Sequence, residues 1–537
     1  MLRYNPSSGA WLLYTRTPAL EQAAREVGLD KSIPATARAG HAVYFTHDEY
    51  AALPFFGVAD DDARDRLFVR HLEYENSRAT NGVRPQTCPA DRAFMPLQDA
   101  AIVYALSRPH CVVGDEVGIG KTITAIGIAN EMQAERVLVV CPASVRLQWE
   151  REVRDWSTLR ALKTHAILTA QKGINPYANF TFVSYDLLRN DAVFRGLMAQ
   201  RFDLLVPDEI HYAKEVSAKR SVRLFGDLSG GRPGLADRAG KIVGLTGTFL
   251  PNRPRECYMA ARALCWEAID WLSEDAFRFR YNPSMRGVSA QGKTYVREER
   301  GRLPELRARL RCNFLVRRTK RDPEVQRQLA VTLPKYELTY LEPTGAIKRA
   351  LKAESLLKID PEKLEGIDAE SWGHIATVRR EMGVAKAPRV VEHAQTLLNS
   401  GLDKVAIFYH HREVGAYLAE KLTGGVMVRG GLTALQKQRI VDRFVADPRE
   451  RVFLGQMQAC GVGIDGLQKV CRWVLLPEPS WTPGDNEQVI GRVGARKGQT
   501  RDVWAQLLVV EGSLDDRILG ASLRKLRITH SALDGGD

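Results

Sequence analysis

The stretch CVVGDEVGIGKTITAIGIANEM, residues 111 to 132, decides the fold class. Three apolar residues predict a short buried strand and a glycine-rich loop follows them. Lys121 and Thr122 then open a segment whose apolar residues recur at helical spacing. A strand, such a loop and a helix in this order are typical of a phosphate-binding loop, G-x-x-x-x-G-K-[ST]. Asp115 stands where the first glycine of that pattern is usual.

The loop carries the groups that a nucleoside triphosphate needs. Backbone N–H groups around Gly118, Ile119 and Gly120 can form a nest for phosphate, and the helix N-terminus adds positive potential. Lys121 would reach the β- and γ-phosphates, and Thr122 would ligate Mg²⁺. The stretch therefore predicts ATP and Mg²⁺ as cofactors. The alternative is a glycine-rich turn that only caps a helix.

Two acidic residues, Asp115 and Glu116, sit in a loop that is expected to hold an anion. Only the backbone of the loop and Lys121 must face the phosphates. We therefore expect the two carboxylates to point away from the nucleotide.

The composition indicates a basic protein with an ordinary apolar content. Its 537 residues suit two to four domains, and 77 Lys and Arg against 64 Asp and Glu give a net charge of +13. This balance favours a polyanionic partner, although a merely basic soluble enzyme fits equally well. No apolar stretch approaches the roughly 18 residues of a membrane helix. The eight cysteines form no C-x-x-C pair, so we expect no zinc site, a reducing compartment and a cytoplasmic location.

The chain divides into four predicted segments. Residues 1–90 alternate short apolar runs with turns and predict a small α+β module, possessing a polar, proline-containing linker at its end. Residues 91–320 and 376–537 each alternate β-rich runs with helical stretches, which is typical of a parallel sheet. Residues 321–375 form a basic, helical junction between them. The sequence therefore predicts an α/β protein with two lobes.

A second element of an NTPase follows another apolar run, in FDLLVPDEIH, residues 202 to 211. Asp208 would hold Mg²⁺ through water, and Glu209 would activate the attacking water. A solvated helix cap would also explain two adjacent carboxylates, but it leaves His211 unexplained. D-E-x-H about 90 residues after a phosphate-binding loop is the pattern of helicase superfamily two.

From this point the chain resembles the Swi/Snf family of ATP-dependent double-stranded DNA translocases, over about residues 90 to 530. Several segments of the first lobe match family motifs in order: FMPLQDAAIVYAL, DEVGIGKT, VLVVCPASVRLQWEREVRDW, FVSYDLL and LTGTFLPNRPRE. The family's own phosphate-binding loop carries Asp-Glu, which accounts for Asp115 and Glu116. The resemblance implies that Gln98 reads the adenine edge. It also implies DNA contact or coupling for a further set of residues: Pro142, Ser144, Ser184, Thr246, Gly247 and Thr248.

The second lobe resembles the family in the segments KVAIFYHHREVGAYL, QACGVGIDGL and EPSWTPGDNEQVIGRVGARKGQT. The resemblance implies that Gly463, Asp465 and Gln488 help to bind the nucleotide and that Arg492 and Arg496 act on ATP bound to the first lobe. YHHREV and RREMGVAKAPRVVEH are most similar to the annealing-helicase branch. The N-terminal segment resembles a module that precedes compact bacterial and viral members.

The resemblance implies two RecA-like parallel-sheet lobes in tandem that close on ATP and reopen after hydrolysis. Each lobe would grip the phosphate backbone of double-stranded or branched DNA, so that the motor, expected to be a monomer, steps along the duplex without sequence specificity. In a bacterial or viral setting it would associate with the nucleoid. Two alternatives stay open: a strand-separating helicase on DNA or RNA, for which we identify no wedge hairpin, and a non-catalytic nucleic-acid clamp.

Three positions depart from the family pattern. Pro207 directly precedes Asp208, and because proline cannot donate to a ladder, the strand must end there or lie at an edge. Phe249 replaces a proline after Thr248. Arg492 and Arg496 stand four residues apart rather than three, among glycines that make a continuous helix doubtful.

Overall fold

A computed structural model describes residues 1–32, 42–82, 84–171, 173–228, 230–250, 253–288, 294–298, 301–356, 369–461, 464–494, 499 and 501–534. The chain forms two compact units. The first comprises residues 1–116, 120–319 and 527–537, and the second comprises residues 117–119 and 320–526. Among the described helices, none combines the length and apolarity that crossing a bilayer requires.

The N-terminal module is an antiparallel four-stranded sheet with helices, as the α+β prediction expects. Its strands, in the order β1-β2-β4-β3, are β1 Leu2–Asn5, β2 Ala10–Thr15, β3 Asp30–Ser32 and β4 Ala42–Thr46. Its helices are α1 Pro18–Val27, α2 Glu49–Ala52 and α3 Asp61–Asn76. Thr17, Asp48 and Asp60 cap their N-termini with side-chain oxygens, which accept otherwise unpaired N–H groups.

The first lobe is a seven-stranded parallel sheet in the order β13-β5-β10-β9-β6-β8-β7. Four of its strands are buried along their whole length, because helices cover both faces. The strands are β5 Cys111–Val113, β6 Val137–Cys141, β7 Thr164–Ala166, β8 Phe180–Ser184, β9 Phe202–Pro207, β10 Ala239–Leu245 and β13 Leu315–Val316, with a separate antiparallel hairpin of β11 Ser284–Val288 and β12 Thr294–Glu298.

The helices of the first lobe follow the strands in the alternating rhythm that the sequence predicts. They are α4 Pro96–Leu106, α5 Lys121–Glu131, α6 Arg146–Trp156, α7 Tyr185–Leu188, α8 Asp191–Met198, α9 Lys219–Phe225, α10 Tyr258–Cys265, α11 Glu274–Tyr281 and α12 Leu303–Asn313. Segments that leave the carboxyl ends of neighbouring parallel strands meet at one edge of the sheet, which is where ligands bind in such folds.

The second lobe is a six-stranded parallel sheet in the order β14-β19-β18-β15-β17-β16. Its strands are β14 Lys335–Tyr340, β15 Val405–Tyr409, β16 Gly425–Val428, β17 Val452–Gln456, β18 Trp473–Leu476 and β19 Trp504–Val509. Its helices are α13 Pro323–Leu329, α14 Gly345–Leu356, α15 Ala369–Asn399, α16 Arg412–Lys421, α17 Ala434–Ala446, α18 Met457–Cys460 and α19 Pro483–Ile490. Helix α20, Leu514–Leu533, begins in this unit, and its residues from 527 onward belong to the first unit. The predicted α/β class with two parallel-sheet lobes is confirmed.

Helix α12 of the first lobe packs against the N-terminal module. Ala308 and Cys312 of α12 belong to the same apolar core as the buried side chains of the module. Beside that core, the Asp48 carboxylate accepts a hydrogen bond from Arg280 (2.7 Å) and pairs with Arg309, which also bonds Glu305 (2.8 Å). Removing one partner of such a pair would leave an uncompensated buried charge, so these ion pairs connect the module to the first lobe beside the shared apolar core.

Two sequence interpretations need correction. The predicted linker after α3 does not lie apart from the first lobe, because Ser77 is buried and its carbonyl accepts the Arg317 N–H at 3.0 Å. A hairpin is present after all, as β11 and β12. Its strands pair only with each other among the described residues, and they lack the alternating apolar run that marks a strand from sequence.

Candidate nucleotide site

The phosphate-binding loop joins β5 to α5 and bends through two glycines with positive φ. Gly118 has a φ of 89° and Gly120 a φ of 97°, which is the left-handed region that side chains disfavour. Gly120 is also the N-cap residue of α5, so the first turn of that helix directs its N–H groups toward the loop. Thr122, half-buried, lies in this first turn, and the side chain of Ile119 is buried.

Gln98 lies directly against the last glycine of the loop. It occupies the first turn of α4, where its Oε1 accepts the Met95 N–H at 3.0 Å. A Cβ atom on Gly120 would come within 2.4 Å of Gln98 Nε2. Position 120 therefore favours glycine because of its backbone angle, and any larger residue there would also displace the Gln98 amide.

Asp115 supports the loop from beneath and faces away from its anion-binding side. Its buried Oδ1 accepts hydrogen bonds from Arg318 N (2.8 Å) and Arg318 Nε (2.7 Å), and its Oδ2 pairs with the same guanidinium. The backbone N–H of Glu116 donates to the Arg318 carbonyl at 3.1 Å. The Asp115 carboxylate and the Glu116 backbone thus fasten the loop to the segment after β13, and the Asp115 carboxylate is turned to Arg318, as expected.

Arg317 fastens two loops at once. Its Nη1 donates to the carbonyl of Gly114 (2.7 Å) and to that of Gly247 (3.3 Å). Its Nε and Nη2 bond the carboxylate of Asp534 at 2.5 and 2.9 Å. One buried guanidinium therefore fixes the spacing between the start of the phosphate-binding loop and the Thr246–Thr248 turn.

Lys121 folds over the loop, and its Nζ donates to the carbonyl of Asp115 at 2.9 Å. Burial lowers the pKa of the Lys121 ammonium, while the carboxylates of Glu209, Asp115 and Asp208 act in the opposite direction. A cation in this position can exchange one carbonyl for phosphate oxygens, which form stronger, charge-assisted bonds.

Asp208 follows the last residue of β9, Pro207, so the strand ends at the proline as the missing N–H demands. The backbone N–H of Asp208 donates to the Val140 carbonyl at 2.7 Å, and Asp208 Oδ2 accepts the indole N–H of Trp149 at 2.8 Å. Burial and the adjacent Glu209 raise the pKa of the Asp208 carboxyl to about 7. Such a carboxyl is poised to exchange its proton for a cation.

Glu209 has a left-handed backbone, with a φ of 53° and a ψ of 55°. A non-glycine residue in this region costs on the order of 1–3 kcal/mol and is typical of functional sites. The turn brings Glu209 Oε2 to 3.4 Å from Thr246 Oγ1 and to 3.3 Å from His211 Nδ1. His211 Nδ1 lies 2.9 Å from the same Thr246 hydroxyl, which accepts the Thr248 N–H at 3.0 Å.

The remaining predicted contacts of the first lobe sit at the carboxyl ends of neighbouring strands. Pro142 follows β6, and Ser144 is half-buried in the short turn after it. Ser184 ends β8 and caps α7, because its Oγ accepts the Leu187 N–H at 3.3 Å. Phe249, where the family has proline, packs edge-on against Phe314 in the core.

The second lobe gathers its predicted residues around one loop. Arg492 donates to the carbonyls of Ile464 (3.2 Å) and Gly461, and a Cβ on Gly461 would lie 3.0 Å from Gln488 Oε1. The Asp465 carbonyl accepts from Gln438 at 2.8 Å. Helix α19 ends at Ile490, so Arg492 lies in a turn rather than on a continuous helix. Gly463 and Arg496 lie outside the described residues.

Sequence reasoning missed Trp149, Arg317, Arg318 and Asp534. Each acts through a partner that is distant along the chain, and the Arg318–Asp115 pair is separated by 203 positions. A basic run gives no sign of burial when its carboxylate partner is that remote. The one signal in the sequence is that Asp115 replaces the first glycine of the loop pattern, which indicates a structural role for its carboxylate.

The family pattern of the SNF2-related domain matches residues 69–344, about half of the chain. The DNA annealing helicase and endonuclease ZRANB3 of Bos taurus is 29% identical over 455 residues, covering 82% of this chain and 41% of that protein. The SWI/SNF-related matrix-associated actin-dependent regulator of chromatin subfamily A-like protein 1 of Xenopus tropicalis is 26% identical, covering 82% and 45%. The chain thus spans less than half the length of these relatives.

A solved structure, the Sulfolobus solfataricus SWI2/SNF2 ATPase core in complex with dsDNA, aligns with 84% of this chain and 95% of its own at 18% identity and a TM-score of 0.39. The relatives agree with the predicted likeness to the annealing-helicase branch. With the family pattern matched across half of its length, the chain belongs to the SNF2-related family.

Proposed function

We propose that this protein is a DNA-stimulated ATPase that moves along duplex DNA and remodels or anneals it in repair, replication or recombination. The observation that carries the proposal is the cluster of Glu209, His211 and Thr246, which joins a candidate general base to the Thr246–Thr248 turn. A change at the nucleotide can thereby reach the turn that the family resemblance assigns to coupling.

The residues present suit Mg²⁺ and ATP. Thr122 and Asp208 offer the oxygen ligands that Mg²⁺ prefers, and burial beside Glu209 raises the pKa of the Asp208 carboxyl to about 7. When bound, the ion would neutralise charge on the phosphates. Lys121 and the loop N–H groups orient the γ-phosphoryl group, Glu209 orients the attacking water, and Gln98 lies where the adenine edge is expected.

The polyanion is proposed to be DNA, gripped through its phosphate backbone. A net charge of +13 supports attraction to a polyanion, and the solved relative named above was captured with dsDNA. We further propose that Arg492 and Arg496 act on ATP bound to the first lobe, that the protein works as a monomer, and that it resides in the cytoplasm, with the nucleoid in a bacterial or viral setting.

One comparison tests the proposal: ATP turnover with duplex DNA, single-stranded DNA and RNA as stimulants, at several salt concentrations. We expect duplex DNA to stimulate most, and DNA affinity to fall with a log-log salt slope of close to one unit per phosphate contact. Stimulation by RNA alone, or salt-independent binding, would contradict the proposal. Absence of turnover with every nucleic acid would favour the non-catalytic clamp.

A strand-separating helicase is the second candidate, and the hairpin of β11 and β12 favours it. Among the described residues, the hairpin is a two-stranded ribbon that joins neither parallel sheet. A strand-displacement assay on a forked substrate separates the candidates, because translocation without unwinding leaves the forked strands paired.

A further inference from the structure

Strand β14 forms one edge of the second-lobe sheet and differs between its two faces. Along one face, the Lys335 ammonium pairs with Asp502 at 2.6 Å and Glu337 Oε2 accepts the Gln506 side-chain N–H at 3.0 Å. Along the other face, Tyr336, Leu338 and Tyr340 are 58%, 42% and 53% exposed. Lys335 and Glu337 are themselves exposed, so both faces of the strand meet solvent: one carries charged groups paired with neighbouring residues, and the other carries large apolar side chains.

The exposed side chains of β14 lie beside buried side chains of the neighbouring strand, β19. Tyr336, Leu338 and Tyr340 pair across to Ala505, Leu507 and Val509 of β19, all of which are buried. Burial of this face of the sheet therefore ends at β19 and does not extend to β14. An apolar row of this length on an edge strand is a liability that proteins usually blunt with charge, proline or a covering element.

The backbone of β14 adds a second feature. The N–H groups of Lys335 and Leu341 bond the carbonyls of Val503 and Val509, so odd-numbered residues direct their peptide groups toward β19. In a parallel ladder these directions alternate, and the peptide groups of Leu338 and Tyr340 point to the outer edge. Within the described residues, the strand order of this sheet ends at β14.

We propose that the outer edge of β14 binds an extended segment of a partner protein as an added antiparallel strand. Main-chain hydrogen bonds to Leu338 and Tyr340 would supply affinity. Alternate apolar side chains of the segment would pack on the row of Tyr336, Leu338 and Tyr340 and supply specificity. This site lies beyond the proposed motor function and shares no residue with it.

The charges at the two ends of β14 differ, and they determine which end of an antiparallel segment is basic. At one end of the strand, Lys335 is neutralised by Asp502. At the other end, the carboxylates of Asp516 and Glu511 raise the pKa of the Tyr340 hydroxyl, which locates two acidic groups beside it. A segment antiparallel to β14 therefore carries basic residues at its amino end and alternating apolar residues after them.

The size of the surface favours a peptide segment over a second copy of the chain. Six strand residues span about 20 Å. A strip of that length and one strand wide is far smaller than the roughly 800 Å² per partner that stable interfaces bury. A single added strand with a few anchoring side chains is the occupant that such a strip fits.

The probe for the test is a fluorescein-labelled peptide, Lys-Arg-Val-Thr-Val-Thr-Val-Thr, titrated with the full chain by fluorescence anisotropy. We expect micromolar binding, slowed hydrogen exchange in residues 335–341, and at least tenfold weaker binding of Leu338→Pro, which removes an outward N–H and leaves the ladder with β19 intact. Leu338→Lys should weaken binding similarly. Leu435→Lys, which charges another exposed leucine of the same lobe, should leave it unchanged.

Retained DNA-stimulated ATP turnover in the Leu338 variants shows that they fold, and Leu338→Lys preserves the backbone if Leu338→Pro does not. A peptide with Glu-Glu at its amino end should bind at least threefold more weakly. No binding by the unmodified chain, or equal binding by Leu338→Lys, overturns the proposal. A dimer in sedimentation equilibrium that Leu338→Lys abolishes would also overturn it, because the edge would then belong to a second copy.

Discussion

The two lobes are both parallel sheets, but they hold their charged groups in different ways. In the first lobe, Glu209, His211 and Thr246 are joined side chain to side chain on a strained turn. In the second, Arg492 is held by the backbone carbonyls of Gly461 and Ile464 in a glycine-rich turn. Neutral carbonyls bind a guanidinium more weakly than phosphate does. The Glu209 cluster of the first lobe is thus preorganised, whereas Arg492 of the second lobe, like Lys121 of the first, is held by a backbone carbonyl that phosphate can replace.

The largest expected effect comes from removing the charged groups of the first lobe, Glu209 and Lys121. We expect Glu209→Gln and Lys121→Ala to reduce ATP turnover by about 10³-fold or more, since positioning and electrostatics carry phosphoryl transfer. Glu209→Gln should still bind ATP, and Lys121→Ala should bind it poorly. Steady-state phosphate release and nucleotide binding would measure this, with the exposed Glu135→Gln as the matched control. Near-normal turnover in both variants would remove the site from the mechanism.

The exchangeable arginine gives the next effect. Arg492→Ala should reduce DNA-stimulated turnover by about 10³-fold, the lower range for arginine fingers, and leave ATP binding largely intact. Arg443→Ala, which removes an exposed arginine of the same lobe paired with Glu450, should have little effect. Arg496→Ala is measured beside them. If it hydrolyses ATP normally, the four-residue spacing has moved it out of the site and Arg492 serves alone.

The buried support of the first-lobe loop should appear as stability. Arg318→Met strands the Asp115 carboxylate in the protein interior, which costs about 3–5 kcal/mol. Scanning calorimetry should show an unfolding transition at a lower temperature. ATP binding should also weaken, because the phosphate-binding loop loses its contacts with Arg318. In the double variant Asp115→Asn/Arg318→Met the stranded charge is gone, so part of the loss should be recovered. Full additivity of the two single changes would show that the pair is not coupled.

The smallest predicted effect lies in the second lobe and depends on pH. Burial raises the pKa of the Glu354 carboxyl to about 7, and its Oε2 accepts the Leu514 N–H at 2.7 Å. The stability contributed by its protonation is fully present below about pH 4.5 and is lost as the pH rises through about 7. Glu354→Gln should therefore gain about 1–3 kcal/mol relative to the unmodified chain at pH 8 and little at pH 5. An equal change in thermal midpoint at both pH values would contradict this.

Local pattern explains the part of the site that the sequence predicts. Strands such as β6 and β9 are short apolar runs in a βαβ rhythm. Asp208 directly follows β9, and Lys121 follows β5 across one short glycine-rich loop, so a short window contains each signal. Strands β13 and β14 are not recognisable as short apolar runs. β13 has two residues, and β14 alternates exposed charged and aromatic side chains.

The sequence by itself determined the fold class, the order of the motifs and the groups that could meet a nucleotide, because backbone geometry follows from spacing within a few residues. Only the tertiary structure decided which charges are buried. Arg317 and Arg318 are indistinguishable in sequence from solvated basic residues, and their partners, Asp534 and Asp115, lie more than 200 positions away. Burial and pairing depend on contacts between distant segments. The exposure of β14 likewise depends on its place at the edge of the sheet, which its pairing with the distant strand β19 decides.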